Sequence, residues 1–297
     1  MTPTAHDHRA IVEQVLAAER VGLDLVGIQD HPYQRRFLDT FALIADLQAR
    51  TSRVRFFPDV ASLPMRPPAM LAKAAASLDV MSGGRFELGI GAGAFWDAVS
   101  GMGGPRRRLD ERVDALEEAI AIVRAALDVG PEKRVVRGAG PHYPIPGYPA
   151  GPPPAHRVGI WVGAMLPRTL ELIGRVADGW IPPFGTSALA RFPAASARID
   201  AAAAASGRDP AAIRRVLNVA GRITDGGRGD GPLDGPVEQW VETILGWSRD
   251  LRIDAFIVWP PDTGTDLIDR FAAEVVPAVR ELVGGSAGSV AAPVDDG

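Results

Sequence analysis

The sequence predicts an α/β fold, one barrel of parallel strands wrapped by helices, and three observations predict it. Short apolar, β-branched runs alternate with helical patterns, which implies parallel strands joined by crossover helices. The 297 residues match the length of one α/β barrel. The composition, 46% hydrophobic and 23% charged, is that of a globular chain able to bury a large core without covalent staples.

Each element follows from its own pattern. Ile11, Val12, Val15 and Leu16 mark a first helix, followed by a strand at 23–28 (LDLVGI). A helix with Phe41, Ile44 and Leu47 precedes a strand at 53–60, and one through Met70, Ala74 and Leu78 precedes a strand at 85–90. Over 110–127, Val113, Leu116, Ile120, Val123 and Leu127 fall at i+3/i+4 spacing on one helix face. A strand at 158–163 leads to a helix from Pro167, where proline suits a first turn. A short strand at 178–181, an Ala-rich helix near 194–206 and a strand at 215–220 come next. A helix at 237–249, a strand at 254–259 and a closing helix with Leu267, Phe271, Val275, Val279 and Leu282 complete the order. Residues 128–157 break this rhythm, because Pro131, Pro141, Pro144, Pro146, Pro149 and Pro152–Pro154 exclude regular helix and central strand. They form an excursion within one domain, 1–283, and a long loop of this kind is expected to be a lid or binding loop. Residues 284–297, small and unpatterned, are expected to be a disordered tail. Seven strands result, whereas a closed barrel of this class has eight. The expected fold is therefore a TIM (β/α)8 barrel whose first strand is missing or truncated. Only residues 1–5 precede the first helix, so a breach is expected beside the strand at 23–28.

Composition narrows the function. With no Cys, disulfides, thiolate nucleophiles and Cys-ligated metal sites are excluded. A net charge of −4 gives no general attraction to nucleic acid or anionic lipid. The N-terminus lacks the apolar core of a signal peptide, and no apolar run approaches membrane-spanning length. A cytoplasmic protein acting on a small molecule, with no nucleic-acid or membrane partner, is expected.

Several motifs lie at strand ends. Asp30-His31-Pro32 follows the first strand, where barrels place chemistry, although a plain turn would use the same residues. Pro58 must end or bulge the second strand, ahead of Asp59-Val60-Ala61-Ser62. Gly89-Ile90-Gly91-Ala92-Gly93 lacks dinucleotide-fold spacing, but such glycines let a ligand approach backbone or simply make a turn. Gly163-Ala164, ahead of a helix N-terminus with Arg168 beside it, forms either a phosphate loop or an ordinary connection. Arg106-Arg107-Arg108 reads as solvated surface. His6-Asp7-His8 matches a metal-binding pair of barrel hydrolases, but too few further histidines accompany it, so a solvated terminus is expected and no metal.

The order of these segments resembles the luciferase-like monooxygenase family and its coenzyme F420-dependent branch over residues 10–283. The resemblance is carried by 18–31 (AERVGLDLVGIQDH), by 74–93 with its Ser82-Gly83-Gly84-Arg85 and Leu88-Gly89-Ile90-Gly91-Ala92-Gly93 runs, and by Trp161-Val162-Gly163-Ala164, Pro167-Arg168 and Ala177-Asp178-Gly179-Trp180. Phe256 to Pro260 and the last helix resemble the final unit of the family. The resemblance implies an oxidoreductase that passes a hydride between a small organic substrate and coenzyme F420, with an FMN-dependent monooxygenase as the alternative. It implies a flavin-type ring over the strand ends, a cis peptide at Asp59-Val60 behind it, and Ser62, Gly91 and Gly93 in the cofactor site. It further implies His31 as proton donor or polariser with Asp30 setting its tautomer or charge, a phosphate loop of Gly163, Ala164 and Arg168, and often a homodimer. Ala94 departs from the sugar-phosphate dehydrogenase branch, which has Glu at that place. Rivals of other classes are a metal-dependent barrel hydrolase and a non-catalytic flavin-binding relative.

Overall fold

Helix α1 (His8–Arg20) leads to β1 (Leu25–Ile28), and α2 (Thr40–Ala49) leads to β2 (Arg55–Pro58), which lies parallel to β1. The computed structural model describes residues 1–130 and 135–287. A two-residue strand, β3 (Ala61–Ser62), and α3 (Pro68–Ser82) precede β4 (Leu88–Gly91). After α4 (Trp96–Gly101) and α5 (Leu109–Leu127) comes a side hairpin, β5 (Val135–Gly138) and β6 (Ile145–Pro149). The barrel resumes with β7 (Ile160–Gly163), α6 (Pro167–Val176), β8 (Gly179–Ile181), α7 (Thr186–Ala205) and β9 (Arg214–Ala220). Short strands β10 (Arg222–Ile223) and β11 (Asp234–Gly235) precede α8 (Val237–Leu251) and β12 (Ala255–Trp259). The chain closes with α9 (Asp266–Arg270), a π-helical turn over Phe271–Val275 and α10 (Val276–Ala287).

All barrel pairings are parallel. One sheet runs β12-β9-β8-β7-β4-β3, and Phe56 of β2 bridges to Phe86 beside β4, which joins the β1-β2 pair to it. Buried Ile28, Phe56, Leu88, Ile160, Val162, Trp180 and Leu217 fill the interior and the strand–helix layer. These near-continuous apolar strands are what a sheet covered on both faces requires.

Among the described residues the barrel has the expected seven strands and the expected breach. Among the described residues β1 pairs only with β2, and β12 only with β9. A cavity of 270 Å³ lies between them, lined by Val15, Ala18, Val26, Phe256, Val275 and Val279 among others. Residues 1–5 do not form a strand there. Met1 alone reaches the β1 edge, its amino group donating to the Gly27 carbonyl (2.5 Å) while its carbonyl accepts from Gln29 N (3.0 Å). The chain then turns away, and Thr4 bridges to Phe37.

Three expectations need correction. Helix α7 begins at Thr186, ahead of the reading near 194, and carries Pro193 inside it. Proline removes one helical hydrogen bond, and the buried Phe192, Ala195 and Ile199 supply the packing that outweighs the loss. Helix α10 extends to Ala287, so residues 284–287 of the expected tail are helical, an extension that needs no new nucleus. Residues 288–297 of that tail, and Pro131 of the excursion, lie outside the described residues. The excursion is also not a lid. Its hairpin packs on α5, where Glu118 accepts from His142 N and Tyr143 N, and its end returns beneath the barrel through His156.

The most specific family-like segments serve the lower, N-terminal end of the barrel. Arg85 donates to the carbonyls of Ser82, Val54, Gln48 and Thr51, tying the α3–β4 turn to the end of α2 and the loop before β2. Asp178 accepts from Arg124, Arg157 and the Ile160 N–H, and the buried Asp79 accepts from both His156 N and its ring. Residues at this end of such barrels stabilise the fold, whereas chemistry occupies the opposite end.

Candidate active site

The C-terminal ends of β1, β2, β4, β7, β8 and β12 surround a cleft of two adjoining cavities, 400 and 410 Å³. Both are lined by His31, Asp59, Val60, Gly163, Ala164 and Pro183.

Asp30 follows β1 and is buried. Its carboxylate accepts two bonds from Arg66, Nε to Oδ2 (2.8 Å) and Nη2 to Oδ1 (2.7 Å), and a third from Ser62 N (2.9 Å). Arg66 also donates to Asp39 (2.7 Å) and stacks over Phe41 at 4.3 Å. Burial works against its charge, but Asp30 and Asp39 raise its pKa above the ordinary value. Asp30 therefore makes no hydrogen bond to His31 that would set its tautomer, since its oxygens hold Arg66 and the strand end, and it acts on the ring through its charge. The group that touches His31 is Tyr33, whose Oη lies 2.7 Å from Nδ1. Phe95 meets the imidazole edge-on, with centroids 5.6 Å apart at 89°. Burial lowers the His31 pKa below its ordinary value, opposed by the charge of Asp30. Burial, and then Asp30, push the Tyr33 phenol up to about 12. The ring is thus neutral near pH 7. No hydrogen-bond partner of Nε2 is found among the described residues, and His31 lines both cavities of the cleft.

The peptide between Asp59 and Val60 is cis, as the family resemblance implies. Val60 packs against Gly91 of β4 and Gly163 of β7, where a larger residue would collide with it. A Cβ on Gly91 or on Gly163 would stand 2.8 Å from Val60 Cγ2. Both glycines therefore make room for the bulge as well as bordering the cleft. Gly93 answers to a turn: its φ is +102°, and a Cβ there would meet Pro64 at 2.4 Å. Beside the bulge, Asp59 Oδ1 accepts weakly from Asn218 (3.4 Å), which in turn accepts from Trp259 Nε1 (2.8 Å). Burial raises the Asp59 pKa to about 6, against the opposing pull of the Met1 amino group. Asp59 Oδ2 and Ser62 Oγ are buried without a hydrogen-bond partner. Buried polar atoms of this kind are rare unless a ligand or water completes them. Two orphan polar atoms flanking an apolar bulge fit a flat heterocycle with hydrogen-bonding edges.

Among the cofactor residues expected from the sequence, Asp59, Val60, Ser62, Gly91, Gly93, Gly163 and Ala164 line this cleft together. Arg168 does not. It is half-exposed and paired with Asp114 (2.6 Å) on α5. Two residues before Asp114 on α5, and so on a different face of the helix, Arg112 lines the cleft beside Leu166 and Thr169 at the start of α6. Its guanidinium stacks on Trp96 at 4.3 Å and donates to the Arg107 carbonyl, with no carboxylate partner among the described residues. His6 and His8 do not assemble a metal site: His8 pairs with Asp46 (3.0 Å), and no group of three His, Cys, Asp or Glu side chains among the described residues could hold an ion.

The model of the luciferase-like monooxygenases matches residues 1–225. This chain belongs to the luciferase-like monooxygenase family. An uncharacterised family relative of Mycobacterium tuberculosis is 38% identical over 145 residues, 49% of this chain and 48% of that one. The F420-dependent glucose-6-phosphate dehydrogenase of Gordonia bronchialis is 33% identical over 189 residues, 61% of this chain and 55% of that one. The chain spans about half the length of the curated relatives it matches. Among solved structures, an F420-dependent secondary alcohol dehydrogenase in complex with an F420-acetone adduct superposes with a TM-score of 0.80 at 20% identity, over 94% of this chain and 97% of that one. A long-chain alkane monooxygenase superposes at 0.77 with 15% identity, over 98% and 87%. At these identities the likeness shows the luciferase-like barrel itself. Within this luciferase-like chain, sequence reasoning missed Tyr33, Arg66 and Arg112. Tyr33, two residues beyond the Asp-His pair, was within reach of a local reading. Arg66 and Arg112 become site residues only once the barrel is closed around them. Among the described residues no helix is long and apolar enough to cross a membrane.

Proposed function

We propose that this chain is an oxidoreductase that passes a hydride between a small organic substrate and coenzyme F420. The observation that carries the reading is the pair of orphan polar atoms, Asp59 Oδ2 and Ser62 Oγ, beside the Val60 bulge. F420-dependent enzymes among the curated relatives support the deazaflavin over FMN. When bound, coenzyme F420 supplies a ring carbon that accepts or releases a hydride.

Val60 would back the ring, with Ser62 and Asp59 available to hydrogen-bond it, and Gly163, Ala164 and the start of α6 would hold its anionic part, Arg112 supplying the cation in place of Arg168. His31 holds the proton on Nδ1, donated to Tyr33 Oη, which leaves the Nε2 lone pair toward the substrate. In alcohol oxidation His31 Nε2 would take the O–H proton, while the bound cofactor would supply the acceptor for the hydride. The resulting imidazolium is favoured by Asp30 and returns its proton to solvent. Reduction runs the same path backwards.

Titrating the purified chain with F420 and with FMN, and following quenching of its tryptophan fluorescence, tests the proposal. Saturable F420 binding is expected, tighter than FMN by at least about tenfold. FMN binding with no response to F420 would favour the monooxygenase reading.

A further inference from the structure

The cleft is charged at one end and aromatic at the other. Arg112 and the start of α6 mark the charged end. The adjoining cavity is lined by Phe184, Trp259 and Pro183, and His31, which borders both cavities, carries Tyr33 and Phe95 against its ring, Tyr33 lining the cavity of Arg112. Four large apolar side chains on or beside the cleft are exposed, in a fold that otherwise buries most of them: Leu109 (58%) and Leu166 (50%) line the cavity of Arg112, Phe184 (56%) lines the other, and Phe95 (61%) packs on His31. Clustered apolar exposure around a concave site marks the surface a ligand covers.

The ionic groups near the aromatic end are already engaged. Arg66 holds Asp30 and Asp39. Asp59 is a carboxylate, and repels anions. Tyr33 binds His31. No cation lines the cavity that holds Phe184 and Trp259, so a phosphate or carboxylate placed there would lose its water without a countercharge.

We infer that the substrate is an uncharged, largely apolar molecule that presents one hydroxyl or carbonyl oxygen to His31 Nε2, an inference that rests on the hydride-transfer reading. Its carbon skeleton packs between Phe95 and Tyr33 on one side and Phe184 and Trp259 on the other. Its oxygen is the single polar handle. Sugar phosphates are thereby excluded, in agreement with Ala94 standing where the sugar-phosphate branch has an acid.

Calorimetry of the F420-loaded chain with three probes tests this without turnover: cyclohexanone, cyclohexanecarboxylate and glucose 6-phosphate. Cyclohexanone is expected to bind at least about tenfold tighter than the carboxylate, and glucose 6-phosphate to show no saturable binding. Phe184→Ala should weaken cyclohexanone by about tenfold, the effect of losing much of one buried aromatic contact, and leave the F420 affinity unchanged. Phe95→Leu, which keeps an apolar side chain, should lose less. Tighter binding of either anion, abolished by Arg112→Gln, would overturn the inference, as would no preference among the three. Failure of F420 to bind, with the cyclohexanone preference intact in the unloaded chain, would count against the hydride-transfer reading and leave the substrate class standing.

Discussion

Replacing Asp59 by Asn should make the protein more stable at alkaline pH, even though it removes a polar group from the site. The reason is the cost of the charge. Burial raises the Asp59 pKa from the ordinary 3.8 to about 6, so ionising it works against the fold. Carrying a carboxyl from 3.8 in the unfolded chain to about 6 in the folded one costs about 3 kcal/mol once both states are ionised. The sign follows from proton uptake. Between about pH 4 and 6 the folded state binds more protons at this site than the unfolded one, so stability falls as pH rises through that window. Asn is isosteric and uncharged, and escapes this loss. The Met1 amino group, which burial lowers to about 6, is itself neutral by pH 8, so no positive charge is stranded there. Asp59→Asn should therefore gain about 1–3 kcal/mol at pH 8, the lower figure allowing for imperfect bonding of the new amide. The gain should shrink through pH 6 and vanish near pH 4. Urea unfolding at pH 8, 6 and 4 reads it as a shift of midpoint at constant slope. A variant no more stable than the parent at pH 8, or a gain that ignores pH, would refute the reasoning.

Other substitutions test the remaining contacts. Arg66→Met leaves the Asp30 carboxylate, its side chain 1% exposed, with only the Ser62 N–H, and should cost about 3–5 kcal/mol by urea unfolding at pH 7. A loss below about 1 kcal/mol would mean that the pair is solvated. Tyr33→Phe removes the acceptor for Nδ1–H and should lower the His31 pKa further, read by NMR titration of the ring protons, while F420 affinity holds; an unchanged or raised pKa would remove Tyr33 from the mechanism. Gly163→Ala sets a methyl 2.8 Å from Val60 Cγ2 and should cost about 1–3 kcal/mol in thermal unfolding and weaken F420, whereas a neutral outcome would show that the bulge yields.

Most of the barrel was legible because its strands are buried on both faces. Runs such as Val158 to Gly163 stay apolar without alternation, and their ends are set by polar pairs or glycine. Helix α5 was legible from one apolar stripe, since Leu116 and Val123 are wholly buried at that spacing. The start of α7 was not, because Pro193 looks like a boundary when the packing of Phe192 is unknown. The excursion was misplaced for a related reason. Proline density signals irregular backbone but not which end of the barrel it crosses, and Glu118, His156 and Asp79 decide that through contacts far apart in sequence.

The site divides in the same way. Asp30, His31, Asp59, Val60 and Ser62 follow apolar strands directly, so the barrel geometry alone brings them together. The partner of Asp30 is 36 residues away and was invisible to local spacing. The choice between Arg168 and Arg112 depends on where α5 and α6 meet: Asp114 pairs with Arg168 away from the cleft, and Arg112, two residues earlier and on another face of α5, lines the cleft. No single helix reveals that.

A crystal structure of the chain with coenzyme F420 tests the central claim most directly. The ring should lie in van der Waals contact with Val60, with Ser62 Oγ and Asp59 Oδ2 hydrogen-bonded to its polar edges and Arg112 at its anionic end. A ring bound elsewhere, such as in the cavity between β1 and β12, or one that leaves both orphan atoms without partners, would contradict the account.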